Sequence, residues 1–400
     1  MVILMEFITN LKEEEYKKFW ATIPNNHFLQ SYGWGQAQAK NRNQKPYYIG
    51  LNDKNKLVAT ALLLKKELPF NLSYFYVPRG FTLDYNNKTV LKELTTNLKE
   101  FLKKENAIYL KIDPPIMYQE LNPDASIVEN GKNNYELYDY LLSLGYTHKG
   151  FNKLYEGNQP RYTFRTYFNK YKSFEEIEKT FSKSFFRPVK RSENYDIEIY
   201  ESNEIKTFHD LIKLVSSKDG FHEYSLEYYQ NVYDELIKDK QIKVFNAKIN
   251  PSKIIKKYQE ELKTEKKEER KTKIQKDIEY FENLEDKKEY TCASLICTYT
   301  NHGAWSLYIG NDEVATYTGT VNRLYYEFIK DAYENKYDYI DLFGVVGDPN
   351  TAFKNLAGIY EYKRKIGGDL IEFIGEFDLI NKPLLYKVLP LVLKIYRKIK

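Results

Sequence analysis

Residues 337–379, YDYIDLFGVVGDPNTAFKNLAGIYEYKRKIGGDLIEFIGEFDL, constrain the fold more tightly than any other stretch of this chain. A short apolar strand ends at Phe343-Gly344 and gives way to a polar loop holding Gly347, Asp348, Pro349 and Asn350. A basic and aromatic segment, residues 360–365, follows. It is closed by Gly367-Gly368 before a second strand over 370–374. Strand, loop, cationic turn and strand at this spacing put fixed positive charge at the mouth of a sheet. That suits a substrate carrying phosphate, or a transition state in which an oxygen becomes negative.

The chain has 400 residues, more than one ordinary core needs, so two domains are expected. Strand-like residues 47–51 and 57–64 flank Asn52-Asp53-Lys54-Asn55, which is suited to a hairpin turn. Residues 89–104 carry Leu91, Leu94, Leu98, Phe101 and Leu102 at helical spacing. Residues 107–112 read as a buried strand ending at Asp113-Pro114-Pro115, and 135–144 as a helix. After residue 160 a similar order returns, with strands at 163–168, 197–200, 242–247, 291–298 and 304–310. Helices are expected at 173–181, 205–216, 226–238 and 320–335. Two mixed α/β domains joined near residues 150–160 fit this pattern. Residues 253–288 break it, being dominated by Lys and Glu. Ile254, Tyr258 and Leu262, then Ile274, Ile278, Phe281 and Leu284, form two thin apolar seams. A helical hairpin turning near residues 269–273 would bury them against each other.

Several classes are excluded. No uninterrupted apolar run reaches the ~20 residues a membrane-spanning helix needs. Residues 1–5 are apolar but lack a basic lead, and read as a first strand rather than a secretion signal. Cys292 and Cys297 lie five apart in one strand and are expected to point to opposite faces, unpaired. No residues stand at metal-ligand spacing, so no metal site is expected, and a reducing cytoplasm is the simplest setting. A net charge of +5 is too small to announce nucleic-acid binding. The sequence has no phosphate-cradling glycine loop, dinucleotide fingerprint or nucleophile elbow. An enzyme built on it would take a substrate already activated, position it and neutralise charge. The tail, residues 382–400, sets Lys387, Lys394, Arg397, Lys398 and Lys400 among leucine, valine and isoleucine, with Pro390 inside. It reads equally as a helix on an anionic membrane surface or as one packed on the first domain with a charged outer face.

Four places can carry chemistry. In FLQSYGWGQAQAK, residues 28–40, Gln30 and Ser31 can cap a helix, Trp34 can anchor it and Lys40 ends it. The plainer reading makes Trp34 core and Lys40 a complement to the helix dipole. YVPRGFTLD, residues 76–84, puts Arg79 in a turn at a strand end. Asp113 of KIDP sits at the carboxyl end of a buried strand, where carboxylates line clefts and cap turns with similar frequency. The fourth is Lys363, Arg364 and Lys365. A lysine cluster is usually a solvated face, but the neighbouring Tyr360, Tyr362 and paired glycines favour a cleft.

Taken in order, FLQSYGWGQAQAK, YVPRGFTLD, KIDP, QPRYT (159–163), DLFGVVGD and GIYEYKRKIGGDLIEFIGEFDL resemble the successive motifs of the Fem family (FemA, FemB, FemX and MurM-like proteins). These are transfer-RNA-dependent peptidyltransferases that build the peptidoglycan interpeptide bridge. The resemblance implies an α/β (α+β) fold of two tandem acetyltransferase-like domains. Residues 1–155, completed by 376–400, would form the first and 156–375 the second, with a coiled-coil arm at 253–288 inserted in it. It implies transfer of an amino acid from aminoacyl-tRNA to the stem-peptide lysine of a lipid-linked or UDP-linked precursor. The charged tRNA serves as co-substrate, and no cofactor is implied. The motif lysine falls on Lys40, expected at precursor phosphates. Arg79 matches the turn arginine, and Asp113 the carboxylate that orients or deprotonates an amine. The aromatic-lysine pair falls on Tyr362-Lys363, with Lys363 stabilising the oxyanion, and Tyr308 falls on a substrate-contacting tyrosine. Two departures stand out. A segment that commonly reads Arg-Asp-x-Phe-x-x-Arg appears as Lys218-Asp219-Gly220-Phe221-His222-Glu223-Tyr224, and Phe81 replaces a proline. The expected setting is cytoplasmic, with the tail as a peripheral contact on the inner face of the plasma membrane. Two competing functions are an acetyl-CoA-dependent N-acetyltransferase, which needs a pyrophosphate-binding glycine turn not found before Thr89 or Thr320, and a non-catalytic membrane-surface adaptor.

Overall fold

A computed structural model describes residues 5–42, 44–285 and 287–399, with side chains described as far as Lys394. The strand expected at residues 1–5 lies, but for Met5, outside the described residues; the first strand is Glu6–Ile8. The Asn-Asp-Lys-Asn turn forms as read. It joins Lys45–Asp53 to Lys56–Leu68 with Lys54 and Asn55 at φ 49° and 64°, a region that asparagine enters at little cost. These strands belong to an eight-stranded sheet. Its order is Glu6–Ile8, Lys45–Asp53, Lys56–Leu68, Leu72–Val77, Tyr109–Ile112, Phe377–Ile380 and Tyr146–His148, with Thr82–Leu83 on the flank. Helix Lys88–Lys104, capped by Asn87, buries Leu91, Leu94, Leu98, Phe101 and Leu102 beneath it.

The second sheet also has eight strands. They run Glu198–Glu201, Ile242–Ile249, Tyr290–Tyr299, Gly303–Asn311, Tyr339–Val345, Tyr162–Tyr167, Asp369–Phe373 and Met117–Glu120. The chain therefore crosses over twice: Met117–Glu120 closes the edge of the second sheet, and Phe377–Ile380 lies next to the edge strand of the first. A third apolar cluster, holding Phe28, Trp34, Tyr228, Trp305 and Tyr339, joins the halves. Helix Lys183–Ser192 was not expected; Pro188 inside it masks a strongly amphipathic run that buries Phe185 and Val189.

The charged segment forms two helices, Pro251–Thr264 and Glu268–Glu282. The turn falls at residues 265–267, earlier than expected, because Lys271 and Thr272 are good enough helix residues once Glu268 and Glu269 open the first turn. Ile254, Tyr258, Ile274 and Phe281 are buried, partly against the core of the second sheet. The cysteines do not part to opposite faces. Both are free and buried in the same core, because the register skips Cys292 where Ala247 faces Ala293 and Lys248 faces Thr291. Residues 360–365 are not a turn either. They close helix Lys354–Ile366, whose lysines complement its carboxyl end and which Gly367, at φ 105°, terminates. The tail forms helix Pro383–Ile399 on the first sheet, yet its outer face is apolar as well as charged. Among the described residues no helix is long and apolar enough to cross a membrane.

Candidate active site

Helix Tyr32–Arg42 starts at Ser31, whose Oγ accepts from Trp34 N at 3.1 Å. Gln30 does not cap. Buried, it ties the helix to the first sheet, donating to Leu62 O and Pro78 O at 3.2 and 2.7 Å and accepting from Leu62 N at 2.9 Å. Trp34 then stands edge-on to Phe28, ring centres 5.6 Å apart. Trp34, Gln38 and Arg42, four residues apart on one helix face, line a cleft of about 290 Å³.

The cleft lies where two parallel strand pairs diverge. One pair is in register only from Phe75–Leu110 to Val77–Ile112, the other only from Gly303–Tyr339 to Trp305–Asp341. At their carboxyl ends the first sheet contributes Tyr76 and Pro78, and the second Tyr308 and Phe343, to one wall. Open α/β sheets place ligands at such ends. Two cations, Arg42 and Lys66, line the cleft, and among the described residues no carboxylate does. Arg42 donates to Tyr224 Oη at 3.2 Å. Lys66 Nζ lies 4.8 Å from the Tyr76 ring centre. Burial, and then the facing guanidinium of Arg42, hold Lys66 below the usual lysine range. Two like charges held this way are poised for an anion. Sequence reasoning missed both. The strand was expected to stop at residue 64 but runs to Leu68, which carries Lys66 inward, and Arg42 lies just past the last motif residue.

The expected residues divide. Trp34 and Tyr308 line the cleft. Lys40 does not: half exposed, it places Nζ 2.6 Å from Glu235 Oε1. Asp113 sits one hydrogen bond behind the wall, accepting from Tyr76 Oη at 2.8 Å and from Arg79 N at 2.6 Å. Burial is the main cause that pushes its pKa up to about 6, opposed by Arg79 and helped by Glu376. Arg79 shares a side pocket of about 20 Å³ with Asp113, donates to Pro160 O at 2.5 Å and lies 4.3 Å from the Phe373 ring centre.

Lys363 reaches the cleft wall from behind, donating to Phe343 O at 3.0 Å and Gly344 O at 3.1 Å. Asp341 Oδ1 accepts from Phe343 N at 2.8 Å. The bulge is thus held on both sides, with Phe343 at φ 58°, a conformation that costs a bulky side chain energy. Burial brings the Lys363 pKa down to about 8, with Asp341 pulling the other way. Tyr362 stays apart. Its ring packs against Tyr325 and Phe185, centres 5.6 and 6.4 Å away, inside the second core. On a helix, unlike a turn, adjacent side chains point about 100° apart, so the pair cannot face one cleft together. Tyr224, which replaces a basic residue of the resembling motif, does face it.

The comparisons with known proteins cover both sheets. The FemAB family matches residues 11–394. A lipid II:glycine glycyltransferase of Staphylococcus haemolyticus is 29% identical over 98% of this chain and 99% of that protein. Proteins of the same name from Staphylococcus epidermidis and Staphylococcus aureus are 28% and 27% identical, again over 98% of this chain and 99% of theirs. The crystal structure of FemX superposes with a TM-score of 0.79 at 25% identity, covering 96% of this chain and 100% of that one. With the match running from the first helix into the last, this chain belongs to the FemAB family.

Proposed function

We propose that this chain is an aminoacyltransferase that adds an amino acid, glycine first, from aminoacyl-tRNA to the stem-peptide lysine amine of lipid II, at the inner face of the plasma membrane. The observation that carries this reading is the cleft between the diverging strand pairs, which Arg42 and Lys66 both line and which, among the described residues, no carboxylate lines. A diphosphate-linked acceptor supplies the missing negative charge. The names of the relatives, glycyltransferases acting on lipid II, support the same acceptor and donor amino acid.

The chemistry follows from groups already placed. An aminoacyl ester is activated, so the acceptor nitrogen attacks its carbonyl carbon and the terminal ribose oxygen of the tRNA leaves. The nitrogen sheds a proton; Tyr76, on the wall, passes one to Asp113 behind it, and the proton ends on the leaving oxygen. Lys363 holds the Phe343-Gly344 carbonyls from behind the wall and supplies positive charge that stabilises the developing oxyanion. No cofactor beyond the charged tRNA enters this scheme.

The test is incubation with lipid II, or with the UDP-linked muropeptide, and a panel of charged tRNAs, read by mass. One glycine increment on lipid II is expected. No increment with any tRNA on either acceptor sinks the proposal, and an acetyl increment from acetyl-CoA replaces it. Replacing Arg42 and Lys66 together by methionine is expected to raise KM for the acceptor on the order of a hundredfold with kcat little changed.

A further inference from the structure

Helix Pro383–Ile399 contains no acidic residue and has two apolar faces. Leu385, Leu389 and Leu393 face inward, packing with Ile108, Tyr109, Leu68 and Leu72 of the first sheet. Leu384, Val388 and Leu391, spaced at i, i+4 and i+7, face outward and are 82%, 46% and 60% exposed. Lys387 and Lys394, also exposed, run along one edge of that stripe. The turn between strands Lys56–Leu68 and Leu72–Val77 ends beside the same cluster and presents Phe70, 72% exposed. Leu384 and Phe70 are the two most exposed large apolar side chains among the described residues. Single exposed apolar side chains need no explanation, but a stripe with a second apolar point beside it does.

We propose that this face, the Leu384-Val388-Leu391 stripe with Lys387, Lys394 and Phe70, docks the protein on an anionic lipid bilayer. The occupant follows from charge: cations without acids flank the apolar stripe, the composition by which a helix lies in the plane of a negatively charged interface. It follows also from continuity with the cleft. Tyr386 of the helix meets Tyr109 edge-on at 5.2 Å, Tyr109 stacks on Tyr74 at 4.7 Å, and Tyr74 lies 5.7 Å below Lys66 Nζ on the cleft wall. The helix that carries the stripe on its outer side thus rests, on its inner side, on the row of rings that ends at Lys66. The inference deepens the proposed function by assigning the surface that delivers a lipid-linked acceptor, and it rests on that reading only for the acceptor.

The experiment is co-sedimentation of the full chain with vesicles of phosphatidylglycerol and phosphatidylcholine against phosphatidylcholine alone. The wild type is expected to partition at least tenfold better onto the anionic vesicles. Leu384→Glu with Leu391→Glu, and Lys387→Glu with Lys394→Glu, should each lower that partition at least tenfold with an unchanged Tm. The same variants should keep their turnover on a soluble UDP-linked acceptor and lose it on vesicle-borne lipid II. Equal binding to both vesicle types, variants that bind like wild type, or a dimer in solution that the same substitutions dissolve would each overturn the proposal. Absence of transfer on every acceptor, with vesicle binding intact, would count against the enzyme reading and leave the docking face standing.

Discussion

Two buried ionisable groups sit behind the cleft wall with pKa values displaced towards each other. Asp113 is pushed up to about 6 and Lys363 brought down to about 8, burial being the main cause for both. In the proposed reaction the carboxylate is the proton acceptor and the ammonium the cation, so kcat/KM is expected to rise through about pH 6 and to fall above about pH 8. Lys363→Arg keeps the charge at all accessible pH. It should abolish the alkaline fall while retaining more turnover than Lys363→Met, which should lose on the order of a hundredfold. A pH profile of Lys363→Arg unchanged on the alkaline side would remove Lys363 from the reaction. Asp113 also marks stability. Its folded pKa lies above the unfolded one, so the folded state holds the proton longer and stability falls as pH rises from about 4 to about 6. Asp113→Asn removes that slope, a difference on the order of 3 kcal/mol between the ends of the window, measurable by urea denaturation at each pH. Of these residues the sequence singled out Asp113 and Lys363 as candidates. It could not make Arg42 and Lys66 legible, since a lysine on a strand and an arginine at a helix end reveal a cleft only once Tyr76 and Tyr224 stand beside them.

At the scale of elements, periodicity carried most of what was readable. Helix Lys88–Lys104 and the Lys54-Asn55 hairpin were written in local pattern. Helix Lys354–Ile366 was not: paired glycines after a cationic run look alike whether they close a turn or terminate a helix, and the difference lies in the unremarkable stretch before Tyr360. The arm gives a testable case. Its apolar seams are thin, and what fixes its base is polar. Asp277, buried, accepts from Tyr317 Oη at 2.7 Å and from Tyr195 Oη at 3.3 Å. Asp277→Ala leaves one buried and one part-buried hydroxyl without that acceptor, a cost of about 1–3 kcal/mol. Because the arm is remote from the cleft lining, the variant should speed hydrogen exchange in residues 251–282 and leave KM for the acceptor unchanged. Exchange unchanged in the arm would show that the apolar seams alone hold it.

At the scale of the whole molecule, strand pairing over long sequence distance decides how many units unfold. Met117–Glu120 pairs with Asp369–Phe373 at the edge of the second sheet, and Phe377–Ile380 sits between Tyr109–Ile112 and Tyr146–His148 in the first. No local pattern encodes such exchanges, because a short strand looks the same whichever sheet receives it. Between the sheets Trp305, fully buried, lies 5.5 Å from Phe28, 4.8 Å from His27 and 5.6 Å from Tyr339, so residues from both halves share one core. Neither sheet can lose its order without unpairing a strand that belongs, by sequence, to the other half. The chain is therefore expected to unfold in one calorimetric transition, with calorimetric and van't Hoff enthalpies in agreement. Trp305→Ala, which should cost about 3–5 kcal/mol, should move that single transition as a whole. Two resolved endotherms, or a Trp305→Ala scan in which only one part shifts, would show that the halves fold independently and that the cleft between them is free to open.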